Sequence, residues 1–161
     1  MVRVLRIALM ALAFTLFMPM VLTADLSAFT ITEASHFKEG PYTFKMEVQV
    51  NGRGSVKKTP FRITSLKVKI KNERASSEIL KAKTIRVYLD ASVYTDIETR
   101  GFSVSPTQWV TKFYRLRKEK QPLLSDKGFI EIAFENFAII FSPQERRFLS
   151  QVRDDPEKES R

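Results

Sequence analysis

Apolar and polar residues alternate along much of the chain, and that alternation marks half-buried strands. Tyr42, Phe44, Met46, Val48 and Val50 take turns with Thr43, Lys45, Glu47, Gln49 and Asn51, giving one apolar and one wet face. Asn51-Gly52-Arg53-Gly54-Ser55 follows, a cluster tolerant of positive φ that reads as a hairpin or loop. Phe61 and Ile63 then alternate in one phase, while Leu66, Val68 and Ile70 alternate in the other. The phase change at Thr64 and Ser65 implies a bulge or a crossing between sheets. Lys67, Lys69 and Lys71 hold the outward side of the second half.

Further strands follow the same logic. Residues 27–33, with Phe29 and Ile31, make a first strand, and residues 72–77 a polar turn. Ile85, Val87, Leu89, Ala91 and Val93 alternate with Thr84, Arg86, Tyr88, Asp90 and Ser92. Ile130, Ile132 and Phe134 alternate with Glu131, Ala133 and Glu135, and residues 137–141 form an apolar run that fits a buried strand.

Two segments depart from this pattern. Ser142-Pro143-Gln144-Glu145 has an N-cap serine, a proline at the first helical position and a glutamate at the third. With Phe148, Leu149 and Val152 on one face, residues 143–152 are predicted to form a short helix on a sheet edge. Ser105-Pro106-Thr107-Gln108 is a similar cap, before Trp109, Val110, Phe113, Tyr114 and Leu116 at helical spacing. The residue types there prefer strands, so residues 109–120 stay open between helix and strand.

The fold class that follows is mainly β: an antiparallel Ig-like β-sandwich of about seven strands with one or two short helices. Val68-Lys69-Ile70-Lys71-Asn72, then a polar turn and a second apolar strand, is similar to a pattern common in Ig-like envelope domains. The similarity spans about thirty residues and brings no functional residue with it.

The N-terminus adds a compartment. Arg3 and Arg6 precede residues 7–22, sixteen positions without a charge, and small residues follow at Thr23 and Ala24. These are the parts of a secretory signal peptide. As a helix the run would reach roughly 24 Å against a hydrocarbon core of about 30 Å. Pro19 would break a spanning helix but fits a turn before a cleavage site. Residues 1–24 are therefore expected to be a cleaved signal, with an uncleaved membrane anchor as the alternative. Residues 25–152 are then one domain, and 153–161 a charged, disordered tail.

The chain has no cysteine, which excludes a lipoprotein anchor, disulfides, thiol catalysis and cysteine-ligated metals. No Asn-x-Ser/Thr sequon occurs at Asn51, Asn72 or Asn136. Together these favour a bacterial periplasm, or release outside the cell, over a eukaryotic secretory route. Without Arg3 and Arg6 the formal charge falls only from +9 to +7. An exported basic domain points to anionic polymers or membrane surfaces, or simply to lysines that discourage edge pairing.

Candidate chemistry is sparse. His36 is the one histidine, with no Gly-x-Ser-x-Gly elbow to accompany it. Asp90, Asp96 and Glu98 lack a dense calcium loop, and Glu131 and Glu135 would lie about 13 Å apart along a strand. No catalytic residue, metal site or cofactor is assigned. The constellation that stands out is basic and aromatic: Lys112, Arg115, Arg117, Lys118 and Lys120 interleaved with Trp109, Phe113 and Tyr114. With Lys67, Lys69 and Lys71 it forms the candidate anion-binding set. The leading expectation is a non-enzymatic envelope adaptor or structural module with a protein partner. Anionic polymer or lipid head-group binding is the alternative, and carboxylate-based hydrolysis a remote one. Export argues against nucleic acid as the partner.

Overall fold

The computed structural model of the protein describes residues 28–55, 58–73, 79–90 and 92–152. The expected signal at 1–24 and the tail at 153–161 lie outside these residues. Among the described residues no helix is long and apolar enough to cross a membrane. The chain runs β1 (Ala28–Glu39), β2 (Tyr42–Ser55), β3 (Lys58–Asn72), β4 (Leu80–Tyr88), β5 (Tyr94–Glu98), β6 (Phe102–Val104) and β7 (Trp109–Arg115). A 3-10 turn (Lys118–Lys120) precedes β8 (Leu123–Leu124), β9 (Phe129–Phe134), β10 (Phe137–Ser142) and β11 (Arg147–Val152).

These strands form two antiparallel sheets, the expected β-sandwich. The first has the order β1-β2-β3-β7, with β8 also on β3; the second has the order β11-β10-β9-β4-β5, with β6 also on β4. The count of eleven exceeds the expected seven in part because the neighbours of β3 and β4 each come in two short pieces, β7 with β8 and β5 with β6. The sheets are joined by the residues that alternation assigned inward. Phe44 of β2 packs on Phe134 of β9 at 5.5 Å between ring centroids and on Phe137 of β10 at 5.8 Å. Met46, Val48, Leu66, Val68, Ile70, Ile85, Val87, Ile130 and Ile132 are all fully buried in the same core. Burying such side chains is worth about 1.5–3 kcal/mol each, which is how a cysteine-free domain holds together.

Both edges of the sandwich are tied across the sheets. Phe37 of β1 meets Phe148 of β11 at 5.6 Å, and Tyr114 of β7 bonds Glu98 of β5 at 3.0 Å.

Three local expectations are corrected. Residues 143–152 do not form a helix: residues 143–146 are a turn and 147–152 are β11. The Ser142 hydroxyl does accept the Glu145 N–H, at 3.3 Å, as a cap would. Arg146 then turns left-handed at φ 52 and reverses the chain, so that Phe148 pairs with Phe141. Ring contact with Phe37 and Phe141 and a full ladder on β10 outweigh a helix that could bury only one face. Secondly, residues 51–55, expected as a hairpin or loop, are not a loop but the strand end of the β2–β3 hairpin, because β2 continues past Asn51 to pair with β3 as far as Ser55. The bulge expected at Thr64 does occur: Asn51 faces Ser65 and Gly52 faces Ile63, leaving Thr64 extra. Thirdly, the strand expected over 84–93 stops at Tyr88. Asp90 accepts the N–H and hydroxyl of Ser92 and the N–H of Val93, which turns the chain and holds its carboxyl below the usual range.

Candidate anion-binding face

Residues 109–115 are a strand, and this decides where the basic-aromatic segment points. β7 pairs with β3 antiparallel, Trp109 opposite Lys71, Thr111 opposite Lys69, Phe113 opposite Lys67 and Arg115 opposite Ser65. Those four residues of β7 are exposed, whereas Val110, Lys112 and Tyr114 turn inward and are half-buried. The aromatic side of the strand thus divides. Tyr114 joins the core rim, while Trp109 and Phe113 stay 44% and 59% exposed on the outside of the first sheet.

That outer face is built in cross-strand rows. His36, Lys45, Lys71 and Trp109 form one row, and Ala34, Glu47, Lys69 and Thr111 the next. Thr32, Gln49, Lys67 and Phe113 follow, then Thr30, Asn51, Ser65 and Arg115. Past the bulge, Arg53 faces Arg62, and Arg62 faces Leu123 of β8. Gly52, Phe61 and Ile63 are buried beside them while Arg53 and Arg62 are exposed, so both guanidiniums leave on the outer side.

These rows and the Arg53–Arg62 pair bring seven cations to one face, Lys45, Arg53, Arg62, Lys67, Lys69, Lys71 and Arg115, and Lys38 stands outward in the next row, opposite Thr43. The rows contain a single carboxylate, Glu47, which Lys69 engages at 3.3 Å. Lys69 also lies over the Trp109 ring at 5.0 Å, which fixes the indole on the surface by cation–π attraction. His36 meets Glu73 at 3.5 Å at the β1 edge. Among the described residues the other six cations have no ion-pair partner. Like charges on neighbouring strands repel at this spacing, so a counter-charge from outside would stabilise the face.

Of the residues named from sequence, Lys67, Lys69, Lys71 and Arg115 come together here. Lys112 does not: it faces the second sheet, with its ammonium 5.1 Å from the Phe102 ring. Arg117, Lys118 and Lys120 are exposed on the connection from β7 to β8, along the same edge of β3. Sequence reasoning missed Lys45, Arg53 and Arg62. Lys45 was legible as outward from its own strand, but its position beside Lys71 required the β2–β3 register.

The carboxylates do not assemble. Asp96 pairs with Arg86 at 2.9 Å, and Glu98 takes the Tyr114 hydroxyl on one oxygen and the Arg100 N–H at 3.0 Å on the other. Glu131 is buried on β9, while Glu135 lies beyond that strand, 3.8 Å from Lys83. Among the described residues no group of three histidines or carboxylates could hold a metal ion. No family model matches the chain, no curated protein matches it, and no solved structure matches its fold.

Proposed function

We propose that the protein is an exported, non-enzymatic binding module of the cell envelope that holds an anionic polymer on the outer face of its first sheet. The observation that carries this reading is the set of seven cations in the rows of that face, against two carboxylates, Glu47 within the rows and Glu73 beside His36. Basic sequence composition alone fits a merely soluble surface. Six cations without ion-pair partners on one side of one sheet fit a polyanion better.

Three features favour a polymer over the other occupants. The cores of protein interfaces are depleted of charge, whereas here charge fills the centre of the face. Strands of a sheet twist relative to one another by about 20–25°, so a flexible chain can follow the lysines of β3 where a flat bilayer would touch only part. Trp109 and Phe113 flank the charged track along one edge and offer ring faces to a chain lying on it.

The test is retention of the full chain, in a non-ionic detergent, on immobilised heparin across a salt series. Vesicles of phosphatidylcholine with phosphatidylglycerol run alongside. The affinity for heparin should fall with salt at a log–log slope of roughly −3 to −5. Retention no stronger than that of a control protein of equal net charge, or tighter binding to the vesicles than to heparin, would overturn the reading.

A further inference from the structure

Where β7 gives way to β8 along the edge of β3, the outer face sinks into a pocket of about 490 Å³. The bulge at Thr64 bends β3 here, and the neighbouring chain leaves after Arg115 and returns only at Leu123. The Leu116 N–H donates to the Thr64 carbonyl at 3.0 Å and the Ile63 N–H to the Pro122 carbonyl at 3.0 Å. Those two bonds fix the lips of the gap. Gly52 lines the floor with its backbone; a Cβ there would run into the Phe29 ring on the inner side and come within 2.7 Å of the Arg62 carbonyl oxygen.

The floor carries a directed chain of hydrogen bonds. Thr30 Oγ1 donates to Asn51 Oδ1 at 2.8 Å, and Asn51 Nδ2 donates to Ser65 Oγ at 2.8 Å. Ser65 Oγ is thus an acceptor, and its own proton remains to be donated. Ser65 sits directly across from Arg115, while Arg53 lines the pocket from the β2 side of β3. Phe113 supplies an exposed ring. Among the described residues no carboxylate lines the cavity.

We propose that this pocket is a subsite for one acidic sugar unit of the polymer. The oxyanion of that unit lies between Arg53 and Arg115 and accepts from the Ser65 hydroxyl. Guanidinium groups present a planar fork of donors matched to an oxyanion. A volume in the range of small-molecule sites leaves room for more than the oxyanion alone. The amide and hydroxyls of the floor match a hydroxyl-bearing ring, and Phe113 offers an apolar surface to its C–H face. This inference rests on the polymer reading and narrows it to an acidic polysaccharide.

Calorimetric titration of the full chain, in the same detergent, tests it with three probes: a sulfated disaccharide, its desulfated counterpart and inorganic sulfate. The sulfated disaccharide should bind saturably and about tenfold or more tighter than either control. Arg115→Gln should weaken it about tenfold and Ser65→Ala by less. Lys81→Gln, exposed on β4 of the second sheet, should leave it unchanged. Equal binding of inorganic sulfate would mean an adventitious ion only and would overturn the sugar subsite. Retention on heparin without disaccharide binding would also overturn it, while leaving the polymer reading intact. Disaccharide binding without salt-sensitive heparin retention would keep the subsite and overturn the polymer reading.

Discussion

The phenol of Tyr114 on β7 donates to Oε2 of Glu98 on β5 at 3.0 Å, joining the two sheets at the edge that carries the exposed aromatics. Burial, and then the Glu98 carboxylate, push the Tyr114 pKa well above the ordinary phenol range. The folded state therefore favours the protonated phenol. Its contribution is fully present below the unfolded value of about 10 and is lost as pH rises above it. Tyr114→Phe should cost about 1 kcal/mol at neutral pH, and the difference from wild type should shrink above about pH 10. Urea midpoints of the two proteins across that range check the sign. A gap that widened with pH would contradict the assignment.

Neutralising cations of the outer face should be additive in its salt signature. Lys45→Gln, Arg53→Gln and Arg62→Gln should each flatten the log–log salt slope of polymer binding by about one. Lys112→Gln should leave the slope unchanged, because that ammonium faces the second sheet. Equal effects at Lys112 and Lys45 would show that net charge, rather than the face, governs binding.

Trp109 is the single tryptophan of the chain and stands exposed on the proposed face beneath Lys69. Its fluorescence is a direct reporter. Saturating heparin should shift or quench the emission, and a neutral polysaccharide of similar length should not. An emission spectrum unchanged at full binding would place the polymer elsewhere.

Two glycines are under steric control. At Gly101, φ is 69° and a Cβ would lie 2.6 Å from the Ala82 carbonyl oxygen. At Gly52 it would meet the Phe29 ring as well as Arg62. Alanine at either position should cost about 1–3 kcal/mol, Gly101 the more because the backbone is strained too. Thermal unfolding measures both, and a neutral Gly52→Ala would mean that Phe29 yields freely.

The core is expected to be unforgiving at Phe44, which packs against Phe37, Phe134 and Phe137. Phe44→Ala should cost about 3–5 kcal/mol in chemical denaturation. A loss below 1 kcal/mol would mean that the cavity collapses or fills.

Alternation along the chain determined much of this protein. Phe44 to Val50 and Leu66 to Ile70 bury the side their period assigns, and Lys67, Lys69 and Lys71 stand outward as their phase requires. The physical reason is local: a pleated backbone sends successive side chains to opposite faces whatever lies beside it. The bulge at Thr64 was legible for the same reason, since an extra residue inverts the phase in the strand itself. Local signals failed where two structures satisfied them equally. Ser142-Pro143-Gln144-Glu145 opens a helix or a tight turn with the same cap, and only Phe148 meeting Phe37 and Phe141 chose the hairpin. For residues 109–115 the free edge of β3 made the choice and thereby set Trp109 and Phe113 outside, Tyr114 and Lys112 inside. The gathering of Lys45, Arg53, Arg62 and Arg115 beside the lysines of β3 was likewise a matter of register. Register is a relation between strands up to dozens of residues apart, and only the closed sandwich specifies it.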